Sequence, residues 1–382
     1  MRTILPALIC PILGVLAVGL AIAPGQARTL QTETGPLEVE TVVEGLEHPW
    51  GMAFLPDGRI LVTERPGRLR VVADGRLLPD PVSGVPQVVA AGQGGLLDVA
   101  LHPDFAENRL VYLTLAGSGR GGAATQVHRG RLTDGDGGLR LADVEMILEA
   151  QPYTGRRQHY GSRLAFAPDG TLFVSTGDRG ERDRSQDPDD MAGSILRIHD
   201  DGRVPEDNPF VGRTDARPEI YAIGIRNAQG LAIHPETGAL WENEHGPRGG
   251  DEINIIRPGR NYGWPVITHG REYSGGQVGD GLTEAPGMEQ PLLVWTPSIG
   301  PSGMAFYTGE AFPDWQGDVF VGALPLRHLR RVVLDGEQVV HQEELLGELG
   351  HRIRDVRQGP DGLLYLLVDD SRAPMLRLRP AS

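Results

Sequence analysis

The chain has 382 residues, a formal net charge of -15, 53 glycines, 30 prolines, 5% aromatic residues and one cysteine. The acidic balance excludes DNA and acidic membrane surfaces as partners, because such polyanions need a basic face that displaces counterions. The composition suits many short strands joined by tight turns in one large all-β domain, and a lone cysteine excludes disulfide staples and thiolate metal sites.

In chain order, the first segment reads as a secretory signal. Arg2 supplies the positive start, Ile4 to Ala23 the apolar stretch, and Gly25-Gln26-Ala27 a small-x-small cleavage site. Pro6, Pro11 and Pro24 interrupt the stretch and argue against a retained membrane anchor. Residues 1–27 are therefore expected to be removed, leaving 28–382 as a single domain, periplasmic or secreted, with no membrane insertion. The cysteine, Cys10, leaves with the signal.

One phrase then recurs six times: an apolar strand, a turn of the Pro-Asp-Gly type, and a second apolar strand. The copies begin at Gly51, Leu96, Gly161, Ala228, Ser302 and Arg352, with turn prolines Pro56, Pro103, Pro168, Pro235, Pro313 and Pro360. Proline presets φ, Asp bonds back to the backbone and Gly accepts positive φ, so each copy predicts a hairpin. A lone hairpin cannot bury both faces. Radial packing of six four-stranded antiparallel blades can, which predicts a six-bladed β-propeller. The copies lie about 47 to about 78 residues apart, one blade plus insertions expected between the same elements of each repeat and crowding one face.

The departures from the repeat carry the chemistry. The run AIGIRNAQGLAIHPETGALWENEHGPRGGDEINIIRPGRNYGWP (222–265) resembles the pyrroloquinoline-quinone (PQQ)-dependent sugar dehydrogenases, the soluble glucose and aldose sugar dehydrogenase family of six-bladed propellers. GQGGLLDVALHPDF, QHYGSRLAFAPDGTLFVSTGDRG, EDNPF, HGREYSG, WTPSIGPSGMAFY and RIRDVRQGPDG match family segments in the same order, so the resemblance spans nearly the whole mature chain.

PQQ is a planar ortho-quinone with three carboxylates, so its site needs cations, flat walls and a Lewis acid at the quinone oxygens. Arg226, Arg352 and Arg354 are the candidate cations; the last two, two apart on a predicted strand, share a face. The resemblance places them with Asn227 on the cofactor, and adds Gln93, Tyr273 and Ser298. It also implies calcium, held by the carbonyls of Gly246 and Pro247 at the cofactor and, at a further site, by Glu252 and the backbone of Tyr262. By composition alone these arginines would be solvated or paired with acids, and Asp251-Glu252 a solvated pair.

Oxidising an aldose at its anomeric carbon removes a hydroxyl proton as hydride leaves, a task suited to imidazole near neutral pH. His159, just before the third repeat, stands at the position of the family's catalytic histidine and is the expected base, with Arg226 assisting; the resemblance implies that both also contact the cofactor. His102 and His234, each before a turn proline, read as structural. Three departures stand out: Gln158 replaces an Asp before the histidine, Ser298 a Thr, and Pro325 a Lys, with Arg327 nearby as a substitute cation. The implied activity is oxidation of soluble aldoses to lactones, with electrons passing to an external acceptor. A non-catalytic carbohydrate-binding propeller and a calcium-dependent lactonase remain the alternatives.

Overall fold

The computed structural model describes residues 27–135 and 138–381; the expected leader, apart from Ala27, and Cys10 lie outside the described residues. Six antiparallel sheets are arranged around an axis, five of four strands and one of five. All six repeat phrases form the first two strands of a blade. The innermost strands are Pro49–Phe54, Leu96–Leu101, Leu164–Phe166, Ala228–Ile233, Pro301–Phe306 and Ile353–Gln358, and neighbours in this series touch in a closed ring.

The turns form as their residues dictate. In blade one, Leu55 and Arg59 pair across Pro56-Asp57-Gly58, with Gly58 at φ 88°. The sixth blade is built from both ends of the described chain: Gly35–Leu46 pairs antiparallel with Ala373–Pro380, from Leu37 opposite Pro380 to Leu46 opposite Ala373, and Ala27–Thr32 adds an outer strand. That pairing closes the ring.

Hydrophobic clusters fill the wedges between blades. Trp241 of blade four, fully buried, meets Phe306 of blade five edge-on with ring centres 5.2 Å apart, and His234 packs against both. His234 Nδ1 also accepts the Glu236 N–H, and His102 Nδ1 likewise accepts the Asp104 N–H, so both histidines serve their turns.

On the axis the interior turns polar. Arg163, 1% exposed, reaches Asp98 at 3.1 Å and Asp355 at 3.0 Å, and Arg357 reaches the same two carboxylates at 3.0 and 3.1 Å. These four residues, drawn from blades two, three and six, separate two cavities. One of about 420 Å³ is lined by the apolar innermost strands; the other, of about 400 Å³, lies beyond Trp50, which stacks on Arg163.

The insertions do not all occupy one place in the repeat. They precede blade three's first strand (150–163), separate its second and third strands (176–193) and its third and fourth (199–219), and separate the third and fourth strands of blade four (257–292). The last starts at the far end of its strand but returns along blade three, where Tyr262 N–H bonds the Ile223 carbonyl and Trp264 N–H the Gly224 carbonyl. Its Tyr273 thereby reaches the polar cavity of about 400 Å³.

Candidate active site

The cavity of about 400 Å³ draws its wall from every blade. Of the expected residues, Gln93, Asn227, Gly246, Pro247, Tyr273, Ser298, Arg352 and Arg354 line it. His159 and Arg226 stand directly behind this wall: Tyr160 and Asn227, their chain neighbours, line it, and Gln93 Oε1 accepts the His159 N–H at 2.7 Å.

His159 precedes blade three in a left-handed conformation, φ 52°. Gly177 permits the approach, because a Cβ there would sit 2.3 Å from the His159 carbonyl oxygen. His159 Nδ1 lies 2.6 Å from Asp178 Oδ1, so the neutral ring carries its proton on Nδ1 and leaves Nε2 as the acceptor. Asp178 is itself oriented: Trp264 Nε1 donates to its Oδ2 at 2.8 Å and Gly180 N–H to its Oδ1 at 2.6 Å. Burial holds the His159 pKa below its ordinary value, against the upward pull of Asp178, with the Arg226 charge adding to the depression. Burial pushes Asp178 up, but the His159 contact and the charges around it more than offset this and hold it ionised.

Arg226 donates through Nη1 to the carbonyls of His245 and Gly246, both at 2.9 Å, and lies over the Trp264 ring at 5.2 Å. Asn227 Oδ1 accepts the Gly161 N–H. Arg352, just before the strand Ile353–Gln358, and Arg354 within it converge on Asp369 at 3.2 and 3.4 Å. Burial lowers the Arg354 pKa to about 10, opposed by the Asp369 charge.

Asp251 and Glu252 are both buried, contrary to a solvated pair. Asp251 accepts the N–H groups of Gly246 and Gly300 and the Ser298 hydroxyl, which ties the Gly246 loop to the Ser298 segment. Glu252 belongs to a buried acidic column with Glu242 and Glu244; burial raises all three pKa values, Glu244 to about 7. Glu244, Gly246, Glu252, Tyr262 and Arg226 surround a second, small cavity of about 10 Å³. No group of three or more His, Cys, Asp or Glu side chains among the described residues forms a metal cage of its own.

Pro325 lines the large cavity, whereas Arg327 is exposed and does not line it. Arg327 therefore does not replace a lysine on this wall. Sequence reasoning also missed Asp178, Trp264, Trp50, Arg65, Gln229, His245 and Asp369. The Asp of STGDRG was visible, but its link to His159, 19 positions earlier, depends on the blade-three loops meeting.

Residues 46–377 match the glucose/sorbosone dehydrogenase family. The chain belongs to that family. Among its members, the aldose sugar dehydrogenase of Escherichia coli is 45% identical over 347 residues, 90% of this chain and 93% of that one. The apo crystal structure of that enzyme superposes with a TM-score of 0.87, covering 90% of this chain and 100% of the other at 44% identity. Quinoprotein glucose dehydrogenase B of Acinetobacter calcoaceticus is 26% identical over 438 residues, 91% of this chain and 88% of that one. The PQQ-bound aldose sugar dehydrogenase of Streptomyces coelicolor superposes with a TM-score of 0.73 at 29% identity, covering 93% and 99%. As a glucose/sorbosone dehydrogenase family member, the protein is a close homologue of aldose sugar and glucose dehydrogenases.

Proposed function

We propose that the protein is a PQQ-dependent aldose dehydrogenase that oxidises the anomeric hydroxyl of soluble sugars to lactones. The observation that carries this reading is the His159–Asp178 pair set behind a cavity wall rich in arginine.

The residues present fit an anionic, planar cofactor: Arg352 and Arg354 would hold carboxylates, Asn227 and Gln93 offer amides, and Trp50 and Tyr273 supply flat surfaces. When bound, the quinone supplies the hydride acceptor and passes electrons on to an external acceptor. His159 Nε2 takes the hydroxyl proton, and Asp178 fixes the ring and stabilises the imidazolium that results. Arg226, positively charged beside this pair, favours negative charge developing at the reacting oxygens.

The donor set around Glu252 also fits calcium, a hard cation that takes oxygen ligands. The Glu252 carboxylate and the Tyr262 carbonyl would hold it there, and the Gly246 and Pro247 carbonyls would hold a separate calcium at the cofactor; at Gly246 the carbonyl already accepts from Arg226, so any cation there shares that oxygen. The buried acidic column is held by the Arg226 and Asn227 N–H groups and the Asn254 amide, with the Arg226 charge acting on Glu244, and a divalent cation would neutralise part of it.

We further propose cleavage after Ala27, leaving residues 28–382 as one domain acting in the periplasm or outside the cell. Among the described residues no helix is long and apolar enough to cross a membrane.

The test is reconstitution of purified protein with PQQ and CaCl₂, followed by dye reduction with a panel of aldoses. Turnover that requires PQQ is expected. No cofactor uptake and no turnover at saturation would overturn the reading.

A further inference from the structure

Arg65 follows blade one's second strand (Ile60–Glu64) and lines the large cavity together with Arg352 and Arg354 of the adjacent blade six. Its backbone is fixed on both sides: its N–H donates to the His48 carbonyl and its carbonyl accepts the Leu96 N–H, both at 3.1 Å. Gly95, at φ 146°, is required beside it, because a Cβ there would stand 2.1 Å from the Arg65 carbonyl oxygen.

The side chain is poorly satisfied for a residue so firmly placed. Nη1 donates to the Gly92 carbonyl at 3.1 Å, and Nε is buried without a hydrogen-bond partner. Among the described residues no carboxylate pairs with it. The preceding residue shows the contrast: Glu64, fully buried, accepts from Arg68 and from the Glu47 N–H and turns away from Arg65. Most arginines of this acidic chain are paired with Asp or Glu. Three guanidinium groups line the cavity with two carboxylates: Asp369, already shared by Arg352 and Arg354, and Asp251, which is taken up by the Ser298 hydroxyl and the Gly246 and Gly300 N–H groups. The Arg65 charge bears on Arg354 as well, adding to the depression of its proton affinity that burial begins.

A cation fixed at its backbone, without a counter-charge and open to a cavity, is arranged to receive an anion rather than to stabilise the empty fold. We propose that Arg65 is a cofactor-binding residue whose guanidinium takes one carboxylate of the quinone, beside the blade-six pair. The inference rests on the function proposed above. It assigns to blade one the further cation that neither Pro325 nor the exposed Arg327 supplies to the wall.

The test titrates PQQ, in the presence of calcium, into wild type, Arg65→Gln, Arg65→Lys and Arg327→Gln, reading cofactor absorbance and the shift in melting temperature. Arg65→Gln should raise the Kd by about 10- to 100-fold, the range for a hydrogen bond to a charged group, with Arg65→Lys between it and wild type and Arg327→Gln unchanged. Phenylglyoxal labelling of the wild-type protein, mapped by mass spectrometry, gives a readout independent of any variant's folding: PQQ should protect Arg65 from modification. A Kd for Arg65→Gln within twofold of wild type, or Arg65 labelled equally with and without PQQ, would overturn the assignment. A wild-type protein that takes up no PQQ would instead overturn the functional reading.

Discussion

His159 Nδ1 and Asp178 Oδ1 lie 2.6 Å apart, and the same carboxylate receives the Trp264 indole N–H from blade four. Two insertions from different blades thus converge on one imidazole and decide which of its nitrogens is free.

Removing either member of this pair should be felt in turnover and hardly in cofactor affinity. His159→Ala is expected to lower kcat by about 10²-fold or more, the typical share of a positioned general base. Asp178→Asn keeps the shape but lowers the preference for the Nδ1–H tautomer, so kcat should fall while the PQQ Kd stays near wild type. Steady-state kinetics beside PQQ titration separate the two effects, and a near-normal kcat for His159→Ala would remove it from the role of base.

The pH profile should carry the sign of the His159 shift. Burial disfavours imidazolium, so the ring loses its proton below the ordinary value of about 6.5 and is ready to act as a base at neutral pH. The logarithm of kcat/KM should therefore climb with pH below that point and be level by about pH 7. Asp178 pulls the pKa upward, so in Asp178→Asn the acidic limb should move to lower pH. A limb that moves to higher pH would contradict the arrangement.

Calcium should stabilise the fold through Glu252. Chelation followed by CaCl₂ at about 100 times the Kd should restore about 2.7 kcal/mol of stability, read as a rise in melting temperature. Glu252→Gln should lose most of that gain. Magnesium, which demands tighter octahedral geometry, should not match calcium.

The axial ion cluster makes a prediction about stability alone. Arg163→Met leaves Asp98 and Asp355 facing each other with only Arg357, and breaking a buried pair in this way costs about 3–5 kcal/mol. Denaturant unfolding of the apo protein measures it. A loss below about 1 kcal/mol, the range of exposed pairs, would show the cluster to be hydrated.

The blades were legible because a Pro-Asp-Gly turn is a local instruction: Pro56, Asp57 and Gly58 each satisfy their conformations with neighbours close in sequence. Arg352 and Arg354 were expected to share a strand face; both do reach Asp369, although Arg352 precedes the strand Ile353–Gln358 and the register shifts between Ile353 and Asp355. Asp178 beside His159, Trp264 beside Asp178 and Arg65 beside Arg354 were not legible, since the first depends on how two loops of blade three meet and the other two on how segments from separate blades meet. Burial was likewise hidden at Asp251 and Glu252, whose composition reads as surface although the strand Asp251–Ile256 lies between neighbours in its sheet. The resemblance to sugar dehydrogenases brought part of the cavity wall within reach; the electrostatic balance of that wall emerged only from the packed ring.

The join between Gly35–Leu46 and Ala373–Pro380 has a mechanical consequence. The propeller is a belt fastened by its own two ends, and Arg65 and the Arg352–Arg354 pair stand on either side of the buckle, in the first blade after it and in the blade that contains it. A polyanion gripped from both sides would act as a rivet across the fastening. Loading the pocket would then tighten the whole ring, so that unbuckling and release of the ligand become one event.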